Sequence, residues 1–187
     1  VLSHKVNPRS KYMNTRYLPR KSFILPVLLL LSMAAVGGCD GSGPSILPSN
    51  FLSPEQEAVL SQEVLELTND ERVEAGLAPL TWNATLAEAA AAHGEDMIER
   101  NYFDHESPEG ENVADRVTAR GYVYMLVGEN IAAGQDSPEE VVDAWMNSEG
   151  HRANILRPEF IELGVGVKRN YAGRYYWVQV FGTPMPE

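Results

Sequence analysis

"LGVGVKRNYAGRYYWVQVFG", residues 163 to 182, decides the fold class. Two β-rich runs, 163–168 and 175–181, flank a turn that contains Asn170 and Gly173. That pattern predicts an antiparallel hairpin. Upstream of it the chain reads as helices. Ser53-Pro54-Glu55-Gln56 offers an N-cap, a proline at the first helical position and a glutamine to complete a capping box. Leu60, Val64 and Leu67 follow at helical spacing, and Gly76 is a stop. Asn83 caps a second helix with an inner stripe of Leu86, Ala89, Ala90, His93 and Met97. A third helix is expected from Asn112 to Arg120, before Gly121. Ser137-Pro138-Glu139-Glu140 starts a fourth, with Val141, Val142 and Trp145 on its apolar face. There is no internal repeat. Four helices and a terminal hairpin predict an α+β domain with helices packed on a small sheet.

The 187 residues are 44% hydrophobic and 22% charged, a composition for one globular domain with extras. Six of the 15 basic residues lie before Cys39 and none of the 26 acidic ones does, so the part from Cys39 onward carries a formal −17. Such a surface repels phosphate backbones and excludes nucleic-acid binding, while it concentrates cations. The N-terminal excess of positive charge has its own explanation. From Met13, a basic stretch with Arg16, Arg20 and Lys21 leads into an apolar run from Phe23 to Val36, then Gly37, Gly38 and Cys39. Basic, apolar and small segments in that order predict an export signal. The run is about 14 residues, short of the ~20 that span a bilayer. Val36-Gly37-Gly38-Cys39 resembles a bacterial lipobox, with Val where Leu is commoner. The resemblance implies cleavage before Cys39 and lipid on that residue. The alternative is an uncleaved apolar helix with an incidental cysteine. The expected organisation is therefore 1–38 as upstream extension and signal peptide, 39–53 as a Gly/Ser/Pro-rich tether, and 54–187 as the folded domain. Because Cys39 is the single cysteine, that domain must be stable without a disulfide.

Three histidines fall in the exported part: His93, His105 and His151. His93 sits on the apolar stripe and reads as a core histidine, or one that orients a ligand, before it reads as a ligand itself. His105 in "FDHESPEG" and His151 in "NSEGHRAN" share polar surroundings flanked by glycine and serine. His151 lies at a junction between two helical segments. Two carboxylates stand out between them. Glu129, in "VGENIAAG", reads either as a loop surface acid or as a site residue. Glu140 reads either as a helix N-terminal acid, worth ~0.3–1 kcal/mol, or as a site residue. The chain has no HExxH, no paired CxxC and no GxSxG element.

The order "HGEDMIERNYFDHESPEG", "GENIAAG", "EVVDAWMNSEGHRANIL" and "YYWVQVFG" resembles the CAP superfamily of cysteine-rich secretory, antigen 5 and pathogenesis-related class 1 proteins, also called SCP domains. It is most similar to the bacterial branch, since the disulfides of eukaryotic members are missing. The resemblance runs from about Leu60 to Gly182. It implies a three-layer α-β-α sandwich with a cleft that holds two histidines and two glutamates. Carried over motif by motif, these are His105, Glu129, Glu140 and His151, with Glu139 the neighbour that register alone separates from Glu140. The histidines are then the metal ligands for Zn²⁺ or another divalent cation, with water completing the coordination. The glutamates are the catalytic candidates, or they orient the imidazoles. The expected function is an exported, lipid-anchored envelope module that binds a divalent metal and a lipid, peptide or cell-wall ligand, as a monomer. A metal-dependent peptidase or esterase is the alternative. A structural or interaction domain with a vestigial site is the second alternative.

Overall fold

The structure is a computed structural model that describes residues 51–186. The signal segment, Cys39 and the tether up to residue 50 lie outside the described residues. Nine elements follow in order: α1 (Pro54–Glu74), β1 (Thr81–Trp82), α2 (Ala84–Glu99), α3 (Val113–Ala119), β2 (Tyr124–Ala133), α4 (Pro138–Met146), α5 (Glu149–Ile155), β3 (Glu162–Arg169) and β4 (Tyr175–Pro184).

Local signals set the ends of the helices. The Ser53 hydroxyl accepts from the Gln56 N–H and the Gln56 side chain accepts from the Ser53 N–H, the capping box that the sequence spells. At the other end of α1, Gly76 takes φ +77°, while its N–H reaches the Val73 carbonyl and the Leu77 N–H reaches the Arg72 carbonyl. This is a Schellman turn, which needs a residue free to adopt the left-handed region. Asn83, Asn112 and Ser137 cap α2, α3 and α4 through their side chains.

The sheet has the order β1-β3-β4-β2. β3 and β4 form the expected antiparallel hairpin, with Val165 opposite Gln179 and Val167 opposite Trp177. β2 pairs antiparallel with the other side of β4, and β1 joins β3 in parallel. Successive strand residues point to opposite faces. Leu163, Val165, Val167, Trp177 and Phe181 therefore meet Val64 of α1, Val141, Val142 and Trp145 of α4 and Ile155 of α5. Tyr176, Val178 and Val180 meet Leu86, Ala89, Ala90 and Met97 of α2 and Val117 of α3. Two cores on two faces make three layers, α-β-α, with the sheet in the middle.

On the α2 face, β3 offers glycines. A Cβ at Gly164 would stand 2.6 Å from the Leu86 Cβ, and one at Gly166 would stand 2.6 Å from the Ala91 Cα. The small face of α2 thus lies directly on the strand backbone.

The structure departs from the sequence reading in several places. β2 is a ten-residue strand where it placed a loop around Glu129. α5 is the second of the two helical segments read around His151, which the count of four helices left out, and the sheet has four strands where the tail suggested a hairpin. The inner stripe of α1 is Ser61, Val64, Thr68 and Arg72, with Leu60 and Leu67 only partly buried. Arg72 is 1% exposed and is satisfied by the carbonyls of Ala78, Ile155, Arg157 and Phe160. It thereby fixes the chain that leaves α5.

Candidate functional site

β2 lies at the edge of the sheet, and its alternation creates the site. Ile131 belongs to the α2-face core and Ala132 to the opposite one, so Glu129 faces α2 and α3 while Asn130 faces α1 and α5.

On the α2 face three groups converge on Glu129. Its Oε1 lies 2.8 Å from His105 Nδ1, and its Oε2 accepts from Arg116 Nη2 at 2.9 Å. His93 Nε2 is 3.8 Å from Oε1. The Arg116 and Glu129 side chains are 4% and 2% exposed, so this is a buried ion pair. Arg116 also donates to the carbonyls of Glu111 and His105. One guanidinium therefore both neutralises Glu129 and clamps the loop that carries His105.

On the other face, buried amides place α5. Asn130 Nδ2 donates to the His151 carbonyl and to Gln179 Oε1, both at 3.1 Å. Asn154 Nδ2 donates to the Glu129 carbonyl and to Asn130 Oδ1. Gln179 Nε2 continues the chain to the Thr68 hydroxyl, which donates to the Val64 carbonyl. Asn130, Gln179 and Thr68 are fully buried, so each of these polar groups needs a partner, and each has one. The network fixes the first turn of α5 against the strand edge, and His151 with it.

The two imidazoles differ in their electrostatics. The hydrogen bond to the Glu129 carboxylate raises the pKa of His105 above its ordinary value. Burial lowers that of His151, and the charge on His105 lowers it further. As pH rises, His151 loses its proton first and His105 later. Burial lowers the pKa of His93 too, against the pull of Glu129.

The sequence-expected residues separate here. His105 and Glu129 meet at the β2 edge, and the His151 carbonyl is held by Asn130 of the same strand. Glu140 is exposed and serves its own helix: its Oε2 accepts from the Asp136 N–H at 2.9 Å, and its N–H donates to the Ser137 hydroxyl. Glu139 is exposed beside it. His93 is in the core, as its stripe suggested, and it also faces Glu129. Arg116, Asn130, Asn154 and Gln179 escaped the sequence reading. Asn130, a polar residue inside "VGENIAA", was the one visible signal among them.

Whether these residues suit a divalent cation is a question of donors. With Nδ1 engaged by Glu129, His105 keeps Nε2 for a ligand. The His151 ring makes no hydrogen bond among the described residues. No cluster of three or more His, Cys, Asp or Glu side chains with metal-holding geometry occurs among the described residues. These residues therefore do not make a closed structural site.

A model of the cysteine-rich secretory protein family, CAP, matches residues 65–181. The chain is 46% identical over 129 residues to the uncharacterized protein YkwD of Bacillus subtilis (strain 168), covering 69% of this chain and 49% of that one. It is 43% identical over 110 residues to the uncharacterized membrane protein YlbC of the same organism, covering 59% and 32%. Among solved structures it resembles an extracellular protein containing a SCP domain from Bacillus anthracis str. Ames, with TM-score 0.64, 35% identity, and coverage of 76% of this chain and 45% of that one. The chain spans half or less of the length of each of these relatives.

Proposed function

This chain belongs to the cysteine-rich secretory protein (CAP) family, and from that premise we propose that it is an exported, lipid-anchored envelope module whose cleft binds a divalent cation through His105 and His151. One observation carries the reading: a buried carboxylate, Glu129, holds Nδ1 of His105 at 2.8 Å. A carboxylate on the far nitrogen fixes the ring's tautomer and orientation and raises its basicity toward a metal. Zn²⁺ is the ion whose preferences suit imidazole and water best. Bound there, it would act as a Lewis acid on a ligand oxygen. The protein's part is to orient His105 through Glu129 and His151 through the Asn130–Asn154 amides. The ligand of such a module is envelope material, whether lipid, peptide or cell wall.

Export is supported by the lipobox-like stretch ending in Cys39 and by the extracellular SCP-domain relative. Among the described residues, no helix is long and apolar enough to cross a membrane. Mass spectrometry of the mature protein tests the anchor, since an unmodified Cys39 would be incompatible with it.

Binding is favoured over hydrolysis by how the glutamates are used. A general base needs a carboxylate free to take a proton from water. Both oxygens of Glu129 are engaged, by His105 and Arg116, and Glu140 holds a backbone N–H of its own helix start.

Calorimetric titration with zinc tests the cation site. His105→Ala and His151→Ala should each remove most of the affinity. Glu129→Gln should weaken it by roughly 10–100-fold. Glu140→Gln should leave it unchanged. Protons compete with metal for imidazole. Because Glu129 holds the His105 proton above its ordinary pKa, affinity should rise with pH through a midpoint above ~6.5. Undiminished binding in the His105→Ala, His151→Ala double variant would assign the ion to the acidic surface instead.

A further inference from the structure

β2 leaves part of the sheet's edge bare. The Gly134 N–H reaches the Tyr175 carbonyl of β4, and Gly128 and Asn130 lie opposite Phe181 and Gln179 in the same register. From Leu126 to Gly134 the even-numbered residues therefore bond inward to β4, and the odd-numbered ones turn their N–H and carbonyl outward. Three outward carbonyls are met by the protein itself. Asn154 Nδ2 holds that of Glu129, Trp145 Nε1 that of Ile131 and Arg174 Nη2 that of Ala133, at 3.1 to 3.3 Å. The cover stops there. Val127 is only half-buried, and its N–H and carbonyl have no partner among the described residues. The register shifts between Tyr124 and Leu126, with Met125 the extra residue. Beyond that bulge the Met185 N–H reaches the Val123 carbonyl, so Tyr124 points outward, again without a partner for its backbone among the described residues.

We propose that this bare stretch, Tyr124 to Val127, docks a short extended peptide with apolar side chains, added to the four-stranded sheet as a fifth strand. The proposal names a ligand class for the binding module described above and rests on that reading, although the backbone bonds themselves use no cation.

The edge selects its occupant. Outward N–H and carbonyl groups at strand spacing are matched by another extended backbone. The side chains beside them are apolar and open. Val123 is 68% and Met125 61% exposed, and Ile161 and Met185 are exposed on the neighbouring strand ends. Free edges are commonly blunted by charge or proline. Here neither occurs from Gly121 to Gly128, in a chain that carries acids almost everywhere else. A second folded copy fits less well. Arg116 of α3 and Asn154 of α5 hold Glu129 from the two faces, two residues from Val127, so both helices flank the edge. The open stretch is also far smaller than the roughly 20–30 residues a side of a stable protein interface. The bulge limits the ligand to a short segment.

The test titrates the full chain, kept metal-free with chelator, with an end-capped heptapeptide of alternating valine and serine. Backbone amides are read by nitrogen-15 NMR. Saturable binding is expected, in which the Tyr124 and Val127 resonances move and their amides exchange more slowly. Leu126 and Gly128, already bonded to β4, should stay in place. Val127→Pro removes a donor that no ladder bond uses, so the melting temperature should hold while affinity falls about tenfold. Peptides N-methylated on alternate residues give an answer that does not depend on that variant. One set should lose binding and the other keep it, because a strand turns only one edge to β2. Equal binding of both sets, undiminished affinity in Val127→Pro, or no saturable binding at millimolar peptide would overturn the proposal. A Val127 amide already protected in a dimeric free protein would overturn it too, and would give the edge to a second copy. The metal-free titration keeps the two readings apart. An edge that binds nothing leaves the zinc site standing, and a failed zinc titration leaves the edge standing.

Discussion

Arg116→Met should lower the unfolding free energy by about 3–5 kcal/mol, because it strips a buried carboxylate of its counter-charge. Glu129 is 2% exposed, and Arg116 lies 2.9 Å from its Oε2. Two further losses accompany the charge: the carbonyls of Glu111 and His105 lose their donor, so the loop that presents His105 is released from α3. The effect should depend on pH with a definite sign. His105 stays next to Glu129, and a proton on His105 compensates the stranded charge. The loss should therefore be largest at high pH and shrink as pH falls through the His105 titration, whose pKa Glu129 already raises. Adding Glu129→Gln to Arg116→Met should recover part of the stability, since no charge is then stranded, but not the part due to the two carbonyls. Urea unfolding of the wild type and these two variants at two pH values measures this. A loss below about 1 kcal/mol in Arg116→Met would place the pair in the solvent-exposed class.

That residue shows where the sequence stops being readable. The caps at Ser53, Asn83 and Ser137 and the hairpin turn at Asn170 and Gly173 were legible, because each is decided by neighbours within a few positions. β2 was not. Its partner β4 lies some 50 residues downstream, and "VGEN" looks locally like a turn. The burial of Glu129 follows only from β2 having a place beside β4. His105 and His151 were readable as a pair from their polar settings and motif order, while Glu140 was set beside Glu129 by the family resemblance. The structure distinguishes them by what they touch: one meets two imidazoles and a guanidinium, the other the N–H of Asp136. Polar residues buried for tertiary reasons were the hardest class. Thr68, Arg72 and Gln179 interrupt or avoid an apolar stripe, and only the distant carbonyls, hydroxyls and amides they satisfy explain them.

Gly164→Ala should cost about 3 kcal/mol or more, at the top of the range for overpacking. The added Cβ meets the Leu86–Ala87 backbone of α2 and stands 2.6 Å from the Leu86 Cβ. Overpacking is usually relieved when a neighbouring side chain changes rotamer. Here the obstacle is a helix backbone pinned at its start by Asn83, whose side chain caps α2 and whose N–H bonds the Leu163 carbonyl. Relief therefore requires α2 to lift away from β3, which opens the contact between Leu86, Ala89 and Ala90 and the sheet. The damage reaches the site, because α2 carries His93, 3.8 Å from Glu129. Gly150→Ala is the control. Gly150 lies in α5 next to His151, and a Cβ there meets nothing within 4 Å. Replacing a helical glycine in open space should stabilise by up to about 1 kcal/mol. The two substitutions add the same methyl group with opposite expected signs, so a general effect of alanine cannot imitate the result. In a domain of this size, thermal melts should separate the two variants by on the order of 10 °C. A Gly164→Ala protein melting with the wild type would mean that α2 does not rest on the β3 backbone, and the small residues of its inner face would need another explanation.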